Sequence, residues 1–241
     1  MPKAPQKKTN SVAKDAADPI SRRTSKDTDS SSRRSSKDPK LSHLYTDDNP
    51  ETTIHGTGFK DEAAAKTTFD LISKRSLLYQ FQTVNTMWHR ANGHPHKTKN
   101  MEAAMKLFRE WLDVTYPEAT AKLRAKGFKP LLSKNCVKKY LPRIRECKLD
   151  GMDKALEFAE KYVDLAPRKK LANVLFDNGQ PKEPDMEKVR YDTLDKLVED
   201  GKEISGGWEN EEVWEEKKKV TDEVVRLIAW AWCPIQERSL P

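Results

Sequence analysis

Residues 57–76 read TGFKDEAAAKTTFDLISKRS, residues 77–100 read LLYQFQTVNTMWHRANGHPHKTKN, and residues 101–117 read MEAAMKLFREWLDVTYP. Asp61 and Glu62 place negative charge where the first turn of a helix favours it, and Leu71 and Ile72 continue the helical spacing toward a core. Ser76 is placed to cap a second helix, whose stripe runs Leu77, Phe81, Val84 and Trp88 with Leu78 and Met87 on its flanks. Asn92-Gly93 and then Pro95 stop that helix. A third begins near Thr98 or Asn100 and carries Met101, Ala104, Met105, Phe108, Trp111 and Leu112, and Tyr116-Pro117 is expected to close it. Short loops between three amphipathic helices predict a compact helical unit with Phe81, Trp88, Phe108 and Trp111 in its core.

Downstream, Pro117 and Gly127 bracket a short fourth helix over 118–126. Leu131, Leu132, Val137, Tyr140, Leu141 and Ile144 interleave with Lys134, Lys138, Lys139, Arg143 and Arg145, the pattern of an amphipathic helix with its cations outward. Further helices are expected over 152–165, 186–200 and 210–232, separated at Gly151, Gly201 and Gly206-Gly207. The fold expected is all-α, with six to eight helices in a bundle-like domain after a basic N-terminal tail. The organisation expected is a disordered Ser/Lys/Arg tail over 1–50, a three- to four-helix unit over 51–127 and a helical lobe over 128–241.

The stretch ALEFAEKYVDLAP, residues 155–167, resembles the second helix of a tetratricopeptide repeat, with Ala155, Ala159 and Pro167 at the small-residue and proline positions. The resemblance covers that stretch alone and implies a helix hairpin in a stacked array. The nearest echo, MEAAMKLFREWLDVTYP, lies outside the repeat spacing.

Charge is distributed unevenly. The chain carries a net +7, and residues 1–40 hold eleven Lys and Arg against five Asp, so the tail supplies most of the excess. The body is polarised: Lys122–Lys148 holds ten basic residues and one acid, whereas 177–223 holds 16 acids and eight bases. A basic segment of that density is the electrostatic footprint of phosphate binding, and it is equally what a solvated helix face looks like. Within the tail, Ser-Arg-Arg-Thr-Ser-Lys-Asp at 21–27 and Ser-Arg-Arg-Ser-Ser-Lys-Asp at 32–38 each put an arginine pair before a serine, so Ser25 and Ser36 are phosphorylation candidates.

Three widely spaced cysteines, Cys136, Cys147 and Cys233, suit free thiols in a reducing compartment. No run of 18 apolar residues and no secretory leader is present, so a soluble, intracellular protein, nuclear or cytoplasmic, is expected. No phosphate loop, nucleophile elbow or metal-ligand spacing occurs, so no catalytic residue, cofactor or metal is assigned. His89, His94 and His96 are the one cluster tempting as ligands, but a helix and a proline-divided loop separate them. Candidate contacts for a nucleic acid or protein partner are therefore Arg90, His94, His96 and Lys97 at the end of the second helix, and Lys134, Lys138, Lys139, Arg143 and Arg145 in the basic segment. Protein docking is the first function expected, nucleic-acid binding the second, and an enzyme or metal site in the histidine loop the third.

Overall fold

Short polar side chains start six of the helices by accepting an amide hydrogen of the first turn. Asp61 does so for α1 (Glu62–Ile72), Ser76 for α2 (Leu77–Asn92) and Thr98 for α3 (Lys99–Glu110). Ser133 caps α5 (Lys134–Glu146), which follows α4 (Tyr116–Ala125), and α6 spans Met152–Asp164. Asp185 caps α7 (Met186–Leu197), and Thr221 caps α9 (Asp222–Ala229) after the single turn of α8 (Asn210–Val213). The structure is a computed structural model and describes residues 53–203, 207–215 and 219–241. The tail, with Ser25 and Ser36, lies outside the described residues. The fold is all-α: among the described residues there is no strand, only isolated bridges from Leu175 to Asp185 and from Trp214 to Val220.

Two expected helix boundaries are corrected. Tyr116-Pro117 does not end a helix. Trp111–Thr115 forms a π-helical turn in which the Tyr116 amide donates to the Trp111 carbonyl, so α3 runs through it into α4. Proline has no amide hydrogen and its ring crowds the carbonyl four residues back, and the wider π turn just before Pro117 accommodates both without breaking the helix. The helix expected over 210–232 is broken. Trp214 pairs with Val220, the Thr221 amide donates to the Val213 carbonyl and the Thr221 hydroxyl donates to the Glu212 carbonyl, so α8 and α9 are separate. α9 then ends at Ala229, before Ala231 adopts a left-handed φ of 53°.

The described residues fall within one contact unit and contain two apolar clusters. The first gathers Ile54, Ala65, Ile72, Val84, Met87, Ala104 and Phe108 from the N-terminal helices. On α2 the buried positions are Val84, Met87 and Ala91, so the core face is rotated from the expected Phe81/Trp88 stripe, and both rings are only half-buried. Each fully buried aliphatic or aromatic side chain here contributes about 1.5–3 kcal/mol. The second cluster gathers residues of α5, α6, α7 and α9 around Phe158, Leu194, Ile228 and Trp230. α6 packs against α5 across a short connection, and α9 lies against both, so the partner of this hairpin comes from far along the chain and not from a following repeat.

Two buried arginines organise the joins. Arg75 and Asp185 are both buried and lie 3.1 Å apart, with Arg75 also donating to the carbonyls of Pro181 and Ala172. Arg190 donates to the carbonyls of Trp230, Phe128, Pro130 and Ala231, tying α7 to the start of the second cluster and to the end of α9. Burial lowers its pKa to about 10, which still leaves it cationic near neutrality.

Candidate functional site

The α3–π–α4 helix turns a row of rings toward the surface. Phe69 of α1 meets Phe108 edge-on at 5.6 Å and stacks on Trp111 at 6.2 Å; Trp111 lies 5.8 Å from Tyr116, and Tyr116 stacks on Phe81 of α2 at 4.5 Å. Phe69, Trp111, Tyr116 and Phe81 are half-buried. Trp111 and Tyr116 are five residues apart, far round an ordinary α-helix, and the π turn brings them into contact. Val114, within that turn, is 51% exposed, the more exposed of two large apolar side chains that face solvent among the described residues. The other, Leu131 at 45%, borders a cleft of about 360 Å³ with Pro130, Trp232, Pro234 and Ile235.

The row is steadied from behind. Arg109 lies over Trp88 at 5.5 Å and pairs with Asp113 at 2.6 Å, so a guanidinium is spent holding the π turn against α2. α4 itself contributes no buried residue, and its packing against α2 leaves the ring row at a surface. Sequence reasoning assigned Trp111 and Phe81 to the core and missed the row. Its four rings come from three different helices, so no single periodicity reveals it; the five-residue spacing of Trp111 and Tyr116 was the available signal.

The expected histidine edge is a small self-contained turn. The His96 amide donates to His94 Nδ1 at 3.2 Å, His94 packs edge-on to Phe59 at 6.4 Å, and Lys97 reaches back to Asn92 Oδ1 at 3.3 Å. His89 is exposed against the edge of Trp88, and Arg90 is exposed and forms no ion pair among the described residues. Among the described residues no three His, Cys, Asp or Glu side chains converge as metal ligands.

The basic segment divides into covered and open cations. Arg143 lies 3.4 Å from Glu215 and 3.3 Å from Asp222, and Arg145 pairs with Glu160 at 2.8 Å. Lys126 faces Asp195, Asp200 and Glu203, and hydrogen bonds to the first two raise its pKa above the usual lysine value. Lys134 donates to the Leu165 carbonyl and Lys139 to the Pro241 carbonyl. The acidic region thus folds back over Lys126 and Arg143. Lys122, Arg124, Lys129, Lys138 and Lys148 form no ion pair among the described residues.

The three cysteines are unbridged. Burial pushes the Cys136 thiol up and the Cys233 thiol up to about 11, which suppresses the thiolate that nucleophilic or redox chemistry needs. Among the described residues no helix is long and apolar enough to cross a membrane. No protein family, curated protein or solved structure matches this chain.

Proposed function

We propose that this chain is a non-enzymatic, intracellular interaction module that docks a protein partner on the face formed by Phe69, Trp111, Val114, Tyr116 and Phe81. The observation that carries this reading is the half-buried ring row, together with the exposed Val114 side chain of the same π turn as Trp111. Aromatic side chains supply large contact area with few torsions to immobilise, which is why they concentrate where proteins bind one another. A π turn inside a helix is a local departure often found at functional positions. In this reading the tail is an electrostatic arm tuned by phosphorylation at Ser25 and Ser36, and its basic repeats serve nuclear import.

The test is capture of partners from an extract of native cells by the full chain and by its Val114→Glu variant, each with and without nuclease. The expected result is a partner that survives nuclease and is lost with Val114→Glu, while the thermal transition of the variant is unchanged. Undiminished capture by Val114→Glu removes the reading.

A second reading, nucleic-acid binding, is favoured by Lys122, Arg124, Lys129, Lys138 and Lys148, which form no ion pair among the described residues. With the tail they would give sequence-tolerant binding that weakens steeply with salt. Neutralising Lys129 and Lys138 together would then lower affinity and the salt slope; a slope near zero in the unmodified chain excludes it.

A further inference from the structure

Residues 166–170, which follow α6, read APRKK, and all five are exposed. The Lys169 amide donates to the Ala166 carbonyl at 3.2 Å, closing a turn with Pro167 second and Arg168 third. Arg168 has a φ of 69°, and among the described residues only Ala231 shares a positive φ without being glycine. Proline followed by a residue of positive φ is the pattern of a type II turn, whose third position suits glycine or asparagine because a larger side chain crowds the backbone there. A long guanidinium side chain therefore stands, exposed, where the backbone is best served by none. Conformational outliers of this kind collect at functional positions.

The loop is held at both ends. Lys134 of α5 donates to the Leu165 carbonyl and lies 5.9 Å over the Tyr162 ring, so it fixes the end of α6. On the other side Leu171 and Ala172 are buried in a short 3-10 turn, and the Ala172 carbonyl accepts from Arg75. Between these anchors Arg168, Lys169 and Lys170 form no ion pair among the described residues. Lys138 joins them from α5. Lys134, Lys138 and Arg145 share one side of that helix. Lys134 reaches Leu165 and Arg145 reaches Glu160, so Lys138 lies between two contacts with α6, and it is exposed with no ion pair among the described residues. The nearby opposing charges are few: Asp164 is the one carboxylate in 161–174, and the half-buried Glu187 of α7 feels the Lys170 charge.

We propose that Lys138, Arg168, Lys169 and Lys170 bind the phosphate backbone of a nucleic-acid duplex, with Lys134 as the positioning residue; the proposal deepens the nucleic-acid reading given above and rests on it. Cations presented by two anchored elements match a rigid row of phosphates and release its counterions on contact. The loop has no ring on which a base could stack, and Tyr140, the one aromatic residue of α5, is buried, so a duplex is favoured over a single strand. Contacts of this kind position the chain on the duplex without reading its sequence.

The experiment follows binding of a short fluorescein-labelled DNA duplex of mixed sequence to the full chain by anisotropy, from about 50 to 200 mM salt. Arg168→Gly is expected to lower the salt slope by about 1, and the triple change Arg168→Gly, Lys169→Ser, Lys170→Ser by about 3 with an affinity loss on the order of tenfold. Glycine adopts a positive φ without steric cost, so Arg168→Gly should leave the thermal transition unchanged or raised. Unchanged binding with a lowered transition assigns Arg168 to the fold and overturns the proposal. Equal binding of a labelled poly-glutamate peptide, abolished by the triple change, assigns the loop to an acidic protein and also overturns it. If the loop variants bind DNA like the unmodified chain while neutralising Lys129 and Lys138 together weakens binding, this inference fails and the nucleic-acid reading stands; a slope near zero in the unmodified chain removes both.

Discussion

Asp185 joins Arg75 to the start of α7: its Oδ2 accepts from Arg75 Nε at 3.1 Å and from the Ser76 amide at 2.8 Å, while its Oδ1 accepts the Lys188 amide at 2.9 Å. One carboxylate therefore completes the α1–α2 corner, neutralises a buried guanidinium and caps α7. Arg75 is further sandwiched against the Tyr79 ring at 3.8 Å. Removing one partner leaves the other charge buried without compensation, which is where such pairs exact their cost. Asp185→Ala is expected to lower unfolding stability by about 3–5 kcal/mol, measured by urea denaturation. A loss below about 1 kcal/mol would show that water reaches the guanidinium.

Arg190 makes a different kind of join, with four carbonyl acceptors and, among the described residues, no carboxylate hydrogen-bonded to it. The flat fork of a guanidinium spreads its donors over several acceptors in a way that one ammonium group does not. Arg190→Lys is expected to cost about 2–4 kcal/mol, because buried carbonyls are left unpaired. Thermal unfolding of the two proteins distinguishes this from a role for charge alone, under which lysine would substitute without loss.

Gly127 ends α4 with φ of +69°, and a Cβ there would sit 2.5 Å from the Glu203 carbonyl oxygen. The backbone of the α4–α5 connection and that of Glu203 pass too closely for any side chain. Gly127→Ala is therefore expected to destabilise by about 1–3 kcal/mol. It should also disturb the Lys126–Glu203 contact, read as faster amide exchange around 199–203.

Glu187 is held above the ordinary glutamate range, first by burial and then by the nearby Asp185 charge, against the opposing pull of Arg190. A carboxyl whose pKa is raised on folding disfavours the folded state when ionised. That penalty is full above the folded pKa and vanishes as pH falls below the unfolded value near 4.3. Glu187→Gln should raise the melting temperature at pH 7, with the gain shrinking toward pH 4. A gain independent of pH would assign the effect to packing.

The local code of this chain was legible because it depends on neighbours in sequence. Ser76 and Thr98 as caps, Gly127 as a stop and the inward set Val137, Tyr140 and Ile144 all follow from helix geometry and one short polar side chain. The candidate site was legible only in part. Lys138 and Arg90 are exposed and form no ion pair among the described residues, whereas Lys126 and Arg143 are covered by carboxylates 69 or more positions away, pairings that no local pattern encodes.

By itself, the sequence determined an all-α chain, its main helix starts and the concentration of charge in particular segments, since propensity, capping and periodicity act over a few residues. Only the tertiary structure decided that Pro117 sits inside a continuous helix, that Arg75 and Arg190 are buried, and that four rings from three helices form one half-buried row. The physical reason is the same in each case. A π turn, a buried guanidinium and a stack between helices each cost free energy locally, and each persists because partners distant in the chain offset that cost.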